Sequence, residues 1–86
     1  MAGRGNRAAV IVDPDLAELG HEVRRQREAQ CLSQEELAER AGLHRNYIGG
    51  IERGERNVGV KALFSLARGL QIQPADLLRT VKVKEV

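Results

Sequence analysis

The chain has 86 residues, with 14 Lys and Arg against 12 Asp and Glu, for a net charge of +2. A chain this short makes one small domain, burying only about 60% of its unfolded surface, and lacks room for a substantial catalytic pocket. The single cysteine, Cys31, excludes an internal disulfide, and no stretch reads as a secretion signal or a membrane span, so a reducing cytoplasm is the expected location.

Met1 to Ala9 is small and polar, basic at Arg4 and Arg7, and has no apolar period. Residues 1–12 are therefore read as a flexible N-terminal arm, a solvated tail rather than a basic arm for a minor groove. Asp13 suits a helix N-cap and Pro14 the first helical position. The first helix is expected to run to about Gln30, with Leu16, Leu19, Val23 and Arg27 on one face. An arginine that ends an apolar stripe either snorkels, its stem covering the core edge, or is a partly buried charge that needs a carboxylate.

Ser33 and Glu36 have the spacing of a capping box, which starts the second helix at Gln34. Leu37, Ala38 and Ala41 form its inner face, and Gly42 sits where a helix ends in a left-handed residue. Leu43 fills the turn. The third helix runs from about Arg45 to Arg53, with Ile48 and Ile51 inward, and Gly54 stops it. In the fourth, Val60 to Leu70, the residues Val60, Leu63, Phe64, Ala67 and Leu70 keep the helical period. Gln73 and Pro74 open a short fifth helix containing Leu77 and Leu78. Tyr47 and Phe64 are the only aromatics, so the core is expected to be aliphatic. Residues 13–79 thus read as an all-α domain of five helices. In the tail, 80–86, Val81, Val83 and Val86 alternate with charged residues as in a strand. That tail either frays, or pairs with Val10 to Val12, or pairs with its copy in a second subunit.

Charge is unevenly distributed. The second helix carries Glu35, Glu36 and Glu39 against Arg40, whereas Arg45, Arg53, Arg56 and Lys61 outnumber Glu52 and Glu55 in the segment after it. A locally basic surface is the electrostatic footprint of DNA binding. The outward residues at the start of the third helix are His44, Arg45, Asn46 and Tyr47. Arginine pairs bidentately with guanine and asparagine with adenine, so Arg45 is the first candidate for reading a base and Asn46 the next. His44 is read as an N-cap or phosphate contact; no second ligand stands at metal-site spacing, and neither metal nor cofactor is expected. Tyr47 either packs on the sugar-phosphate backbone or shields Ile48 and Ile51. Glu52, on the inward side of the third helix, is the candidate carboxylate for Arg27.

The segment Leu19 to Leu78 resembles the helix-turn-helix family of phage repressors and Cro proteins, the XRE family. The resemblance rests on SQEELAERAGL, IERGERN, LARGL and PADLL, in that order and at the family's spacing. It implies a lambda-repressor-like fold whose third helix lies in the major groove while the second crosses the backbone. It also implies a sequence-specific regulator of transcription that binds double-stranded DNA. By the same resemblance Gln34 binds phosphate and braces the recognition helix, Arg53, Arg56 and Asn57 follow the DNA backbone, and Arg27 and Glu52 form a buried ion pair. Gly50 stands where relatives often carry a base-contacting side chain. Its bareness narrows the readable code or lets the backbone approach the bases. Gly49 and Gly50 each cost the helix about 1 kcal/mol relative to alanine. Cys31 and Gln71 replace glycines that are usual in the family; Cys31 is read as a free, partly buried thiol. Within the family, the run RNYIGGIERGERNVGVKAL most resembles the controller proteins of restriction-modification systems.

One such module covers too little DNA for tight binding. A homodimer on a near-palindromic operator is therefore expected, with recognition helices about 34 Å apart. Leu77 and Leu78, with the tail, are the candidate dimer contact unless they only close the monomer core. The alternative is an antitoxin-like or other protein-interaction module on the same fold. No phosphate loop, paired-carboxylate cleft or metal cluster points to an enzyme, and neither a membrane nor a small-molecule ligand is expected.

Overall fold

The computed structural model describes residues 12–83. Arg4, Arg7, the suggested pairing of Val10 and Ile11, and the alternation reaching Val86 lie outside the described residues. Five helices follow one another: α1 (Pro14–Ala29), α2 (Gln34–Ala41), α3 (Arg45–Glu52), α4 (Val60–Leu70) and α5 (Pro74–Leu78). The expected all-α, five-helix architecture is what the described residues adopt, with helix bounds within about one residue of those read from the caps.

The helix starts follow from side chains that satisfy free backbone amides. Asp13 accepts from Asp15 N–H at 2.8 Å. Ser33 Oγ accepts from Glu36 N–H at 3.0 Å while Glu36 Oε1 accepts from Ser33 N–H at 2.8 Å, a reciprocal capping box.

The first four helices end on one device. After α1, Cys31 N–H donates to the Glu28 carbonyl and Leu32 N–H to that of Arg27, the paired bonds of a Schellman motif. The same pairing recurs at Gly42 and Leu43, at Gly54 and Glu55, and at Gln71 and Ile72. The motif needs a left-handed residue, and Gly42 (φ 69°) and Gly54 (φ 74°) supply it without steric cost. Cys31 (φ 58°) and Gln71 (φ 57°) adopt the same conformation against the strain of a Cβ. This accounts for the two positions at which family glycines are replaced. Cys31 is exposed rather than partly buried, because its position just past the helix end turns it outward.

Leu19, Val23, Leu32, Leu37, Ala38, Ile48, Ile51, Leu66, Ala67, Leu70 and Leu77 form one contiguous aliphatic core. Burying each of the larger side chains contributes about 1.5–3 kcal/mol. Three expectations are corrected here. On α4 the buried stripe runs through Leu63, Leu66, Ala67 and Leu70, facing α2; Leu66 is fully buried, whereas Phe64 is 44% exposed and Val60 is also outside the core. Leu77 is 0% exposed and closes the monomer core, so it is withdrawn as a dimer contact; Leu78 is 42% exposed. The described part of the tail is no strand: Val81 N–H bonds the Leu78 carbonyl and Val81 packs on the core, leaving Val83 in solvent.

Glu22 is buried beside that core, its carboxylate accepting from Arg25 Nε at 2.9 Å and from Gln26 Nε2 at 3.1 Å. The Arg25 hydrogen bond, opposed by burial, holds Glu22 below the usual glutamate range; the capping-box bonds from Ser33 do the same for Glu36. A carboxylate depressed in the folded state contributes stability that is present above its unfolded pKa and lost as pH falls through the folded value. The urea midpoint is therefore expected to drop as pH is lowered through the ordinary carboxylate range, and Glu22→Gln to flatten part of that drop. Glycine at the strained cap should help: Cys31→Gly is expected to raise stability by about 1 kcal/mol in urea unfolding at pH 7.

Candidate nucleic-acid interface

The position of α3 is set from the core outward. Ile48 and Ile51 are buried on its inner side. At its end the Glu52 carboxylate receives Arg27 Nε at 2.6 Å and Arg27 Nη2 at 3.0 Å, a bidentate pair across α1 and α3. The two side chains are only 11% and 4% exposed. Arg27 Nη1 donates to the Leu32 carbonyl at 2.7 Å, and Gln34 Nε2 donates to Glu52 Oε1 at 3.0 Å. The Glu52 hydrogen bond, working against desolvation, raises the Arg27 pKa further above its usual value. Arg27 is therefore a paired charge rather than a snorkelling one.

Close approach of α1 to this end of α3 depends on Gly20, which the sequence reading passes over. A Cβ there would lie 2.1 Å from the Ile51 carbonyl oxygen. The available signal was a glycine in mid-helix, about 1 kcal/mol worse than alanine and in need of a packing reason.

The outer end of α3 opens at His44, whose Nδ1 accepts from Asn46 N–H at 3.0 Å. An accepting Nδ1 places the ring proton of the neutral imidazole on Nε2. Beside this cap, Gln34, Arg45, Asn46, Gly49, Arg53 and Arg56 line a shallow cleft. Two of the sequence-selected groups thus converge: the outward residues of α3 and the polar residues that flank it. Tyr47 is half-buried against the core, with the Arg56 guanidinium carbon 5.9 Å from its ring centroid, within cation–π range. Asn57 is exposed in the loop beyond.

The two glycines of α3 are where these cations rest. A Cβ on Gly49 would lie 3.1 Å from Arg53 Nη1, and one on Gly50 would lie 2.8 Å from Arg56 Cγ and 2.9 Å from its Nε. Gly50 is buried under Arg56, so it offers no bare backbone to a duplex, and that expectation is corrected. The surface a larger residue would occupy here is given to an arginine.

Two carboxylates counted in the sequence only as local charge belong to the site. Glu35 Oε2 lies 3.4 Å from Arg45 Nε, and Glu55 Oε1 accepts from Arg53 Nε at 3.1 Å. Periodicity cannot reveal the first of these pairs, because the turn at Gly42 and Leu43 brings the two helices together.

Residues 23–77 match the helix-turn-helix family. The chain is 50% identical over 60 residues to control protein C.SmaI of Serratia marcescens, covering 70% of this chain and 71% of that one. Among solved structures, the restriction-modification controller protein C.AhdI from Aeromonas hydrophila superposes with a TM-score of 0.75 at 46% identity, over 76% of this chain and 98% of that one. The controller protein C.Esp1396I, crystallised as a tetramer with its natural 35 base-pair operator, superposes with a TM-score of 0.73 at 29% identity, over 80% of this chain and 91% of that one.

Removing one side of the buried pair leaves an uncompensated charge. Glu52→Ala is expected to cost about 3–5 kcal/mol in urea unfolding, well above the cost of deleting an exposed carboxylate such as Glu39.

Proposed function

The chain belongs to the helix-turn-helix family, and from that premise we propose a sequence-specific, double-stranded DNA-binding regulator of transcription that acts as a homodimer on a near-palindromic operator. It is not an enzyme. The observation that carries the reading is the cleft itself. A helix anchored at its inner end by Glu52 presents Arg45 and Asn46 at its outer end, among Gln34, Arg53 and Arg56. That arrangement separates two tasks, base edges for the first turn of α3 and phosphates for the residues around it.

Arg45 reads guanine and Asn46 reads adenine by the bidentate geometry open to each. His44 and Tyr47 flank them at the bases. Gln34, at the free amides of the α2 N-terminus, meets phosphate together with Arg53, Arg56 and Asn57. The operator complex of C.Esp1396I supports carrying this docking mode over to the present chain.

The apolar side chains left outside the core supply the self-association. Val60 and Phe64 lie one turn apart on α4, and Leu78 lies on α5, which packs against α4. With Leu77 committed to the core, Leu78, Phe64 and Val60 form the dimer contact. No helix among the described residues is long and apolar enough to cross a membrane, and a regulator of this kind works in the cytoplasm.

Selection from a random duplex library at moderate salt should recover a two-fold symmetric motif with half-sites one helical turn apart. Arg45→Ala should lose about 1–3 kcal/mol on that motif and relax selection at one guanine, with folding unchanged by circular dichroism. Recovery of no motif, with salt-sensitive binding alone, would overturn the proposal in favour of a protein-interaction module.

A further inference from the structure

The ion pair at the mouth of the cleft has a geometry that discriminates between two kinds of DNA contact. Glu35 meets Arg45 at Nε, at 3.4 Å, and both side chains are largely in solvent, 71% and 53% exposed. A guanidinium engaged at Nε keeps its two terminal nitrogens free, and a bidentate contact to guanine needs only those two. Guanine presents neutral acceptors, which a guanidinium already paired to a carboxylate can still meet. Phosphate is different: it is attracted by net charge, and the Glu35 carboxylate cancels much of the Arg45 charge at close range while repelling the phosphate itself.

Resting on the DNA-binding reading above, we propose that Glu35 is a positioning residue for specificity, its carboxylate standing beside the Arg45 Nε so that the arginine favours guanine over phosphate. The ion pair need not break when the matching base is met. It weakens only the contacts that any duplex would offer. Arg53, which also lines the cleft, has a carboxylate at the same nitrogen: its Nε donates to Glu55 at 3.1 Å. Of the two arginines assigned to phosphate, Arg56, whose neighbour is the Tyr47 ring, is then the stronger contact and Arg53 the weaker.

The test compares wild type, Glu35→Gln and Glu39→Gln, which changes net charge equally from another exposed position of α2. Each full-length protein is titrated with the duplex selected by wild type and with a scrambled duplex, across a range of salt. Glu35→Gln is expected to bind the scrambled duplex about two- to fivefold more tightly and the selected one about two- to fivefold more weakly, as befits an exposed ion pair. Its salt slope on the scrambled duplex should steepen by about one. Glu39→Gln should leave the ratio of the two affinities unchanged, and in an Arg45→Ala background Glu35→Gln should no longer move it. An unchanged ratio in Glu35→Gln, or an equal fall in Glu39→Gln, would overturn the role of Glu35 while leaving the DNA-binding reading intact. A wild type that prefers no duplex would overturn both.

Discussion

The bidentate contact between Arg27 and Glu52 is the constraint on which the rest of the molecule turns. It joins the last turn of α1 to the last residue of α3, and through Gln34 it reaches the first residue of α2. Taking two charges out of water is costly, and their attraction does little more than repay that cost. What the pair contributes is uniqueness of arrangement. With Glu52 fixed, α3 cannot rotate about its axis without stranding a buried carboxylate, so the face bearing Arg45 and Asn46 is held outward. Gln34 is oriented by the same oxygen and so cannot be repositioned independently of α3.

Much of this was legible from the chain. Capping boxes and left-handed helix ends are local chemistry, and Ser33 with Glu36, Asp13 with Pro14, and Gly42 announce themselves by residue type and spacing. The candidate partnership of Arg27 and Glu52 was legible too, because a charge at the end of an apolar stripe needs a partner. Where the reading failed, the reason was packing direction. A helical period shows that α4 has an apolar stripe, yet Phe64 and Leu66 differ only in which neighbour each side of the stripe meets. Leu77 and Leu78 are adjacent in sequence and opposite in burial, which α5 is too short to signal by period. The contact of Glu35 with Arg45 depends on the angle between two helices, and the burial of Gly50 depends on how a loop arginine folds back.

The site also shows why a net charge of +2 is compatible with an interface for a polyanion. Positive charge is gathered around one cleft, from Arg45 in the first turn of α3 and from Arg53 and Arg56 just past its end. Carboxylates stand beside two of the three arginines, Glu35 by Arg45 and Glu55 by Arg53, rather than being absent from the surface. A modest total thus conceals an uneven distribution, with three arginines at one cleft.

The aliphatic core has a consequence beyond packing. The protein has no tryptophan, one phenylalanine and one tyrosine. That tyrosine, Tyr47, sits at the edge of the cleft with its ring beside the Arg56 guanidinium. Near-ultraviolet excitation of the unlabelled protein at tyrosine wavelengths therefore yields light from a single place. Its intensity and anisotropy report the surroundings of Tyr47 and the placement of Arg56, free of emission from any other aromatic side chain, so the molecule carries its own optical probe beside the cleft.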